Sequence, residues 1–373
     1  MTVALAGSAG VRAADLDDDI VSVWLTDGRE LVLHTLALRD HCPCLECRHP
    51  VSGQRLFESA RVLPGTHARS VAVSDAGTLF LEWEEGHRSR FPAEVLVAAA
   101  APAPAAPEPV LWDAERLRAL PWHTWTAASD DAAARAAWLR DAAVLGFSLL
   151  RGVPCELGTV AQVARLFGAV RETNYGQVFD VRVSVEAANL ADTPLALSPH
   201  TDNPYRRPAP TLQLLHCLAS EVDGGETVLV DGLAVLERFA ASGPDGLELL
   251  ARMPIRFAYR DDAADLAADV PVVTLPRGGK PVALHLNNRS KGVPSGSPEE
   301  VAAWYDAYLA LLAMIDDPTS QIVFRLEPGD LVLLDNERVL HGRTGFASGG
   351  TRHLQGCYAD RDGLLSTLTV LER

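Results

Sequence analysis

The residues of this chain whose types and spacing can do chemistry are His200-Thr201-Asp202 and a distant answer, His341-Gly342-Arg343, followed by Arg352. Two imidazoles and one carboxylate make a facial triad, which grips one side of Fe(II) and leaves the other side for substrate and O2. Residues two apart share a face of an extended segment, so His200 and Asp202 can reach one ion. The third ligand has to come from elsewhere, and His341 follows an apolar strand pattern at 331–334. Arg352 carries a planar fork suited to the carboxylate of an organic cosubstrate. A His-x-Asp triplet alone also suits a strand-end histidine beside a capping aspartate. The company of His341, Arg352 and the run Gly224-Gly225-Glu226-Thr227 points instead to an iron-dependent oxygenase.

A second set of ligand types lies near the start. Cys42-Pro43-Cys44-Leu45-Glu46-Cys47 puts three thiols in one short loop, and His41, His49 and His87 compete to be a fourth ligand. Three Cys and one His form a closed tetrahedral set typical of structural zinc. Free surface thiols or a redox pair are the other readings, and a reducing compartment disfavours a stable disulfide. Cys155, Cys217 and Cys357 have no such company and are expected to be buried.

Elements must position these residues. Apolar alternation at 20–25 and 30–36 around Asp27-Gly28, and at 70–73 and 79–83 around Asp75-Ala76-Gly77, reads as two hairpins. They make a small β-rich unit at 1–98. Alternating Pro and Ala at 99–109 form a semi-rigid linker, and 110–373 is the second domain. That domain opens on an Ala-rich helix at 131–145, capped by Ser129 or Asp130, then a buried strand at 146–151 and a helix at 158–167. Strands follow at 212–217, 227–230, 270–275 and 282–286, then a helix at 298–316. Strands at 322–326 and 331–334 flank Glu327-Pro328-Gly329-Asp330 as a hairpin. Many strands with helices outside indicate a mainly β fold, a sandwich or jelly roll, rather than a parallel α/β sheet.

Bulk properties narrow the partners. The chain has 373 residues, 48% of them hydrophobic, and a formal net charge of -16. It fits two domains with a sizeable core. Nucleic acid and anionic membranes both need a basic face, so neither is expected as a partner. Neither a membrane span nor a secretory leader is expected from the sequence, and its six cysteines are too sparse for a disulfide scaffold. A cytoplasmic protein is the expectation.

The stretches SPHTDNPYRRPAPTLQLLHCL (198–218), GGETVLVDGL (224–233), LNNRSKG (286–292), PGDLVLLDNERVLHGRTGF (328–346) and TRHLQGCYAD (351–360) resemble the 2-oxoglutarate-dependent oxygenases of the taurine dioxygenase superfamily, and within it the γ-butyrobetaine hydroxylases. The resemblance covers nearly the whole chain. It implies a double-stranded β-helix (jelly-roll) catalytic domain with flanking helices, behind a small β-rich N-terminal zinc domain. It implies Fe(II) on His200, Asp202 and His341, and Arg352 on the distal carboxylate of 2-oxoglutarate. Thr227 falls where relatives often place a hydroxyl near that cosubstrate. For the zinc, it selects His87 beside Cys42, Cys44 and Cys47. The reaction it implies consumes 2-oxoglutarate and O2, yields succinate and CO2, and hydroxylates an unactivated C–H bond. A homodimer is the implied assembly.

Butyrobetaine hydroxylases hold a trimethylammonium group against aromatic faces. Tyr175, Phe179 and Tyr358 align with cage positions, Phe179 standing where an animal enzyme has Trp. Two positions depart from the family: Asp192 replaces a cage tyrosine, and Asn203 replaces a substrate-contacting tyrosine. Asn189, Asn287 and Asn288 suit the anionic end of a zwitterion. The expected substrate is a small zwitterionic amine, foremost γ-butyrobetaine or a close trimethylammonium analogue. A quaternary-ammonium phosphonate, an amino acid or a natural-product intermediate is the alternative; a zinc-stabilised binding protein without turnover is the remote one.

Overall fold

The computed structural model describes residues 10–100, 107–182, 193–276, 279–347 and 350–373. It divides into two compact units, one ending at Ala105 and the other beginning at Ala106.

The N-terminal unit holds two three-stranded antiparallel sheets. In strand Ile20–Leu25, Val21, Val23 and Leu25 point inward; in strand Thr78–Trp83, Leu79, Leu81 and Trp83 do. This is the period-two burial of a strand with one solvated face. Gly28, at φ +91°, turns Ile20–Leu25 into Glu30–His34. The second strand stops at His34 rather than running on to 36. The His34 side chain accepts from Leu36 N and caps the short helix Thr35–Asp40.

The second unit is a double-stranded β-helix. A four-stranded sheet runs Leu197–His200, Val339–Arg343, Thr227–Asp231, Gln321–Phe324. A six-stranded sheet runs Trp122–Thr124, Phe147–Arg151, Leu331–Asp335, Leu212–Ser220, Arg352–Ala359, Phe179–Arg182. From Leu197 onward the chain crosses repeatedly between the two sheets. Val332 and Leu334 therefore face the inter-sheet core with Phe147 and Leu229, while Leu331 and Leu333 face helix Ala132–Leu145 and its neighbours. Burial on both faces is why this strand reads as an unbroken apolar run.

That crossing also corrects the sequence reading at 322–334. Gln321–Phe324 and Leu331–Asp335 are not a hairpin, because they lie in different sheets and the Glu327–Asp330 turn bridges them. Residues 270–275 are not one strand either: Asp265–Val270 pairs with Ile255–Arg260, and Val273–Thr274 pairs with Ala283–Leu284. The Ala-rich helix is capped by Asp131, whose carboxylate accepts from Ala134 N at 2.7 Å. Ser129 and Asp130 end the preceding helix Trp125–Asp130. Cys217 and Cys357 are buried as expected, but Cys155 is exposed in the loop after Phe147–Arg151.

Between Thr227–Asp231 and Gln321–Phe324 the chain inserts helices Gly232–Ser242, Pro244–Arg252 and Pro298–Asp316 and the hairpin Ile255–Arg260/Asp265–Val270. A buried ion pair ties this excursion to the sheet. Arg338 donates to both oxygens of Asp231, at 3.1 and 2.9 Å, and its remaining N–H groups reach the carbonyls of Val144 and Val110. Asp231 also accepts from Trp112 N and from Leu233 N, so it caps Gly232–Ser242. Every charge in this pair has partners, the condition under which a buried pair is tolerated.

Two outcomes are expected. Arg338→Met strands Asp231 without its counter-charge and lowers unfolding stability by about 3–5 kcal/mol, read by chemical denaturation. His216 is fully buried, and burial pushes its pKa down from 6.5 to about 4, against a smaller opposing effect of the Val153 backbone. The unfolded chain then binds a proton that the folded chain refuses. His216 thus favours the folded state above pH 6.5, and this contribution, about 3 kcal/mol, is lost as pH falls toward 4. Denaturation midpoints of His216→Leu fall less steeply than those of the parent over that window.

Candidate active site

Strand register builds the site. His200, the last residue of Leu197–His200, pairs directly with His341, which lies inside Val339–Arg343, the strand that follows Leu331–Asp335. Their rings lie 4.3 Å apart, centroid to centroid. The close approach requires glycine next to His341, since a Cβ on Gly342 would meet Leu197 O at 2.4 Å. Asp202 arrives differently from the alternation expected. The strand ends at His200, and the chain bends, with Asn203 in the left-handed region at φ +55°. Asparagine tolerates that conformation better than most side chains.

Asp202 Oδ1 is 3.4 Å from His200 Nε2 and Oδ2 is 3.8 Å from His341 Nε2. Both separations are shorter than twice a metal–nitrogen bond of about 2.1 Å. The donor atoms of all three residues lie within 4.8 Å of one another. His200 Nδ1 meets Ser198 O at 2.9 Å, which leaves Nε2 unprotonated toward Asp202. Burial, reinforced by His200, draws the His341 pKa down to about 3, so this imidazole stays neutral with a lone pair to offer. Burial works against ionising Asp202, and the hydroxyl of Tyr358, which donates to Oδ2, favours its carboxylate form. Two imidazoles and one carboxylate on one side of a pocket fit Fe(II).

The triad lines a cavity of about 710 Å³. Arg352, buried at the start of Arg352–Ala359, lines it too and donates to Gly225 O at 3.3 Å. Gly224 and Gly225, at φ +89° and +74°, make that turn, and a Cβ on Gly225 would crowd Arg352 Nε at 3.0 Å. Thr227, also buried, lines the same space.

One wall is aromatic. Tyr358 stacks on Phe179 at 5.0 Å, Phe179 meets Tyr175 at 6.1 Å, Tyr175 meets Tyr259 at 5.7 Å, and Tyr259 stacks on Tyr205 at 5.3 Å. Asp180 lines the cavity next to Phe179. Arg289, which interacts electrostatically with Asp202, Tyr175 and Tyr205, and Asn203 line the cavity as well. Asn203 Oδ1 accepts from Tyr205 OH at 2.6 Å, while its Nδ2 is buried without a partner among the described residues.

The sequence expectations meet this geometry unevenly. Tyr175, Phe179, Tyr358 and Asn203 line the cavity with the triad. Asn288 does not: it is exposed, its Oδ1 accepts from Tyr308 OH, and its neighbour Asn287 is the cavity residue. Asn189 and Asp192 lie outside the described residues. Sequence reasoning missed Gln213 and Asn336, which bind Asp202, and Tyr205, Tyr259 and Arg289, which extend the wall. Gln213 carried a signal, a lone amide within the strand run TLQLLHCL. Tyr259 carried none, since only the fold of the insertion brings it near.

In the N-terminal unit, Cys42, Cys44 and Cys47 Sγ lie 3.4, 3.7 and 3.6 Å from His87 Nε2. A tetrahedral zinc with ordinary Zn–S and Zn–N bonds separates S and N by about 3.6 Å. His41 Nδ1 is engaged with Ala37 O and His49 Nδ1 with Ser52, so neither joins the cluster. Burial pushes the Cys47 thiol up to about 12 despite Arg39, whose guanidinium reaches its Sγ at 3.3 Å. A dication supplies the charge that makes such a thiol a thiolate.

The comparisons with known proteins follow this geometry. Residues 105–358 match the taurine catabolism dioxygenase TauD, TfdA family, and residues 13–97 match the gamma-butyrobetaine hydroxylase-like, N-terminal family. Gamma-butyrobetaine dioxygenase of Pseudomonas sp. (strain AK-1) is 35% identical over 359 residues, 95% of this chain and 94% of that protein. The mitochondrial trimethyllysine dioxygenase of Gallus gallus is 30% identical, over 90% of this chain and 82% of that one. Gamma-butyrobetaine dioxygenase of Homo sapiens is 28% identical over 95% of each.

Elemental analysis of the purified protein is expected to find about one zinc per chain, from the one Cys3His set among the described residues. Cys47→Ser loses it, and the thermal transition of the N-terminal unit falls or vanishes.

Proposed function

Because the chain belongs to the taurine catabolism dioxygenase TauD, TfdA family and is a 2-oxoglutarate-dependent dioxygenase, we propose that it hydroxylates an unactivated C–H bond of a small zwitterionic amine, γ-butyrobetaine or a close trimethylammonium analogue. The carrying observation is the aromatic cavity beside the triad. A quaternary ammonium has no N–H to donate, so ring faces such as those of Tyr175, Phe179 and Tyr358 are its natural partners. Arg289 and the Asn203 amide offer donors to its anionic group. The names of the relatives, butyrobetaine and trimethyllysine dioxygenases, support the same class.

His200, Asp202 and His341 are the residues that would hold Fe(II). Arg352 would pair with the distal carboxylate of 2-oxoglutarate, with the Thr227 hydroxyl alongside. When bound, the iron with 2-oxoglutarate and O2 supplies the oxidation, in which one oxygen atom enters succinate as CO2 leaves and the other enters the substrate C–H bond. The chain's part is orientation and access. Arg352 fixes one end of the cosubstrate from a buried position. Leu215, Leu334 and Leu354 line the cavity with apolar surface and limit water there. Asn189 and Asp192 remain assigned to the substrate from the sequence alone.

A second reading keeps the chemistry and changes the anion. Arg289 with Asn203 Nδ2 presents several donors, which suits the three oxygens of a quaternary-ammonium phosphonate as well as a carboxylate. The working form in this proposal is a cytoplasmic homodimer. The family likeness supports the dimer, and the free state of all six cysteines suits a reducing compartment. No helix among the described residues is long and apolar enough to cross a membrane.

Succinate formation from 2-oxoglutarate is expected to rise when a trimethylammonium zwitterion is added to the Fe(II)-loaded protein. Phe179→Ala removes a ring face and raises KM for that substrate up to about tenfold, with a smaller change in kcat. Arg289→Ala weakens the phosphonate more than the carboxylate if the second reading holds. A panel of quaternary amines that never stimulates succinate release overturns the substrate class.

A further inference from the structure

The two oxygens of Asp202 are treated unequally. Oδ1 faces His200 Nε2 at 3.4 Å and accepts no hydrogen bond from a neutral donor among the described residues. Oδ2 accepts two, from Gln213 Nε2 at 2.7 Å and from Tyr358 OH at 2.8 Å. Gln213 and Tyr358 are direct cross-strand partners in Leu212–Ser220 and Arg352–Ala359. Their side chains therefore leave the six-stranded sheet on one face, side by side, and converge on one atom. Both are almost wholly buried. The backbone of Asp202 is clamped as well: its N–H donates to Asn336 Oδ1 at 2.7 Å, and Asn336 Nδ2 donates to its carbonyl at 2.9 Å. The histidines come from the four-stranded sheet, so the restraint on the carboxylate comes from the opposite sheet.

We propose that Gln213 and Tyr358 are positioning residues that hold Asp202 as a one-oxygen ligand. This rests on the iron reading above. With Oδ2 occupied, Oδ1 alone is offered to the metal. A carboxylate free to swing would bind through both oxygens and take a coordination position that cosubstrate and O2 need. Two neutral donors do this without cancelling the charge of the ligand, as a guanidinium would. Tyr358 serves twice. Its ring stacks on Phe179 in the aromatic wall, and its hydroxyl restrains the metal carboxylate, so one residue joins the substrate wall to the metal site.

Tyr358→Phe separates the two roles, because the ring stays and the hydroxyl goes. Gln213→Met removes the other donor at nearly constant volume. Anaerobic Fe(II) titration of the zinc-loaded protein with 2-oxoglutarate and no amine substrate, followed by calorimetry, reads the effect directly. Each variant is expected to bind Fe(II) about tenfold more weakly and the double variant up to about a hundredfold, with zinc content and melting midpoint at parental values. Iron affinity within twofold of the parent in both single variants overturns the proposal and reduces Tyr358 to a wall residue. A parent that takes up no Fe(II) overturns this proposal and the iron reading together.

Discussion

The structure depends on placing a buried carboxylate between two imidazoles that the chain supplies from far apart. Such a group is costly to desolvate, and it stays ionised because partners surround it. His200 and His341 face it from paired strands of one sheet, and Gln213 and Tyr358 hold it from the other. The inter-sheet gap is thus the one place where all four side chains can meet. Everything else in the catalytic unit keeps those sheets in register. The apolar run Leu331–Asp335 is buried on both faces, and Asp231–Arg338 pins the start of the insertion.

The unit separates rigidity from variation. The triad and Arg352 sit in or beside strands, where register fixes positions to a fraction of a residue. The substrate wall is mixed. Phe179 and Tyr358 come from the outer strands of the six-stranded sheet, whereas Tyr259 and Arg289 come from the insertion between Thr227–Asp231 and Gln321–Phe324. A change in the insertion can therefore alter which amine fits without moving the metal. The N-terminal unit packs its small core of alternating strand residues beside a Cys3His set, whose four donors would leave a zinc ion no open position for chemistry.

Where the sequence misled, local pattern met a nonlocal choice. Two apolar runs around Glu327-Pro328-Gly329-Asp330 look like a hairpin because a hairpin is the shortest way to pair them. In a double-stranded β-helix the same turn carries the chain from one sheet to the other. Asn287 and Asn288 are chemically identical in sequence, and only the packing of Pro298–Asp316 turns Asn288 toward Tyr308 and leaves Asn287 on the cavity. Asp131 wins the helix cap over Ser129 and Asp130 because those two are already spent ending the previous helix.

The sequence by itself determined the ligand types His200, Asp202 and His341, the three clustered cysteines, the arginine that follows, and the β-rich character of both units, and it left His41, His49 and His87 open beside the cysteines. These are matters of residue chemistry, short spacing and hydrophobic period, which a chain carries wherever it goes. Tertiary structure decided which oxygen of Asp202 is free, which aromatic rings touch, and which asparagine meets the cavity. Those depend on strand register between segments far apart in the chain and on packing of the insertion, where distance along the sequence says nothing about distance in space.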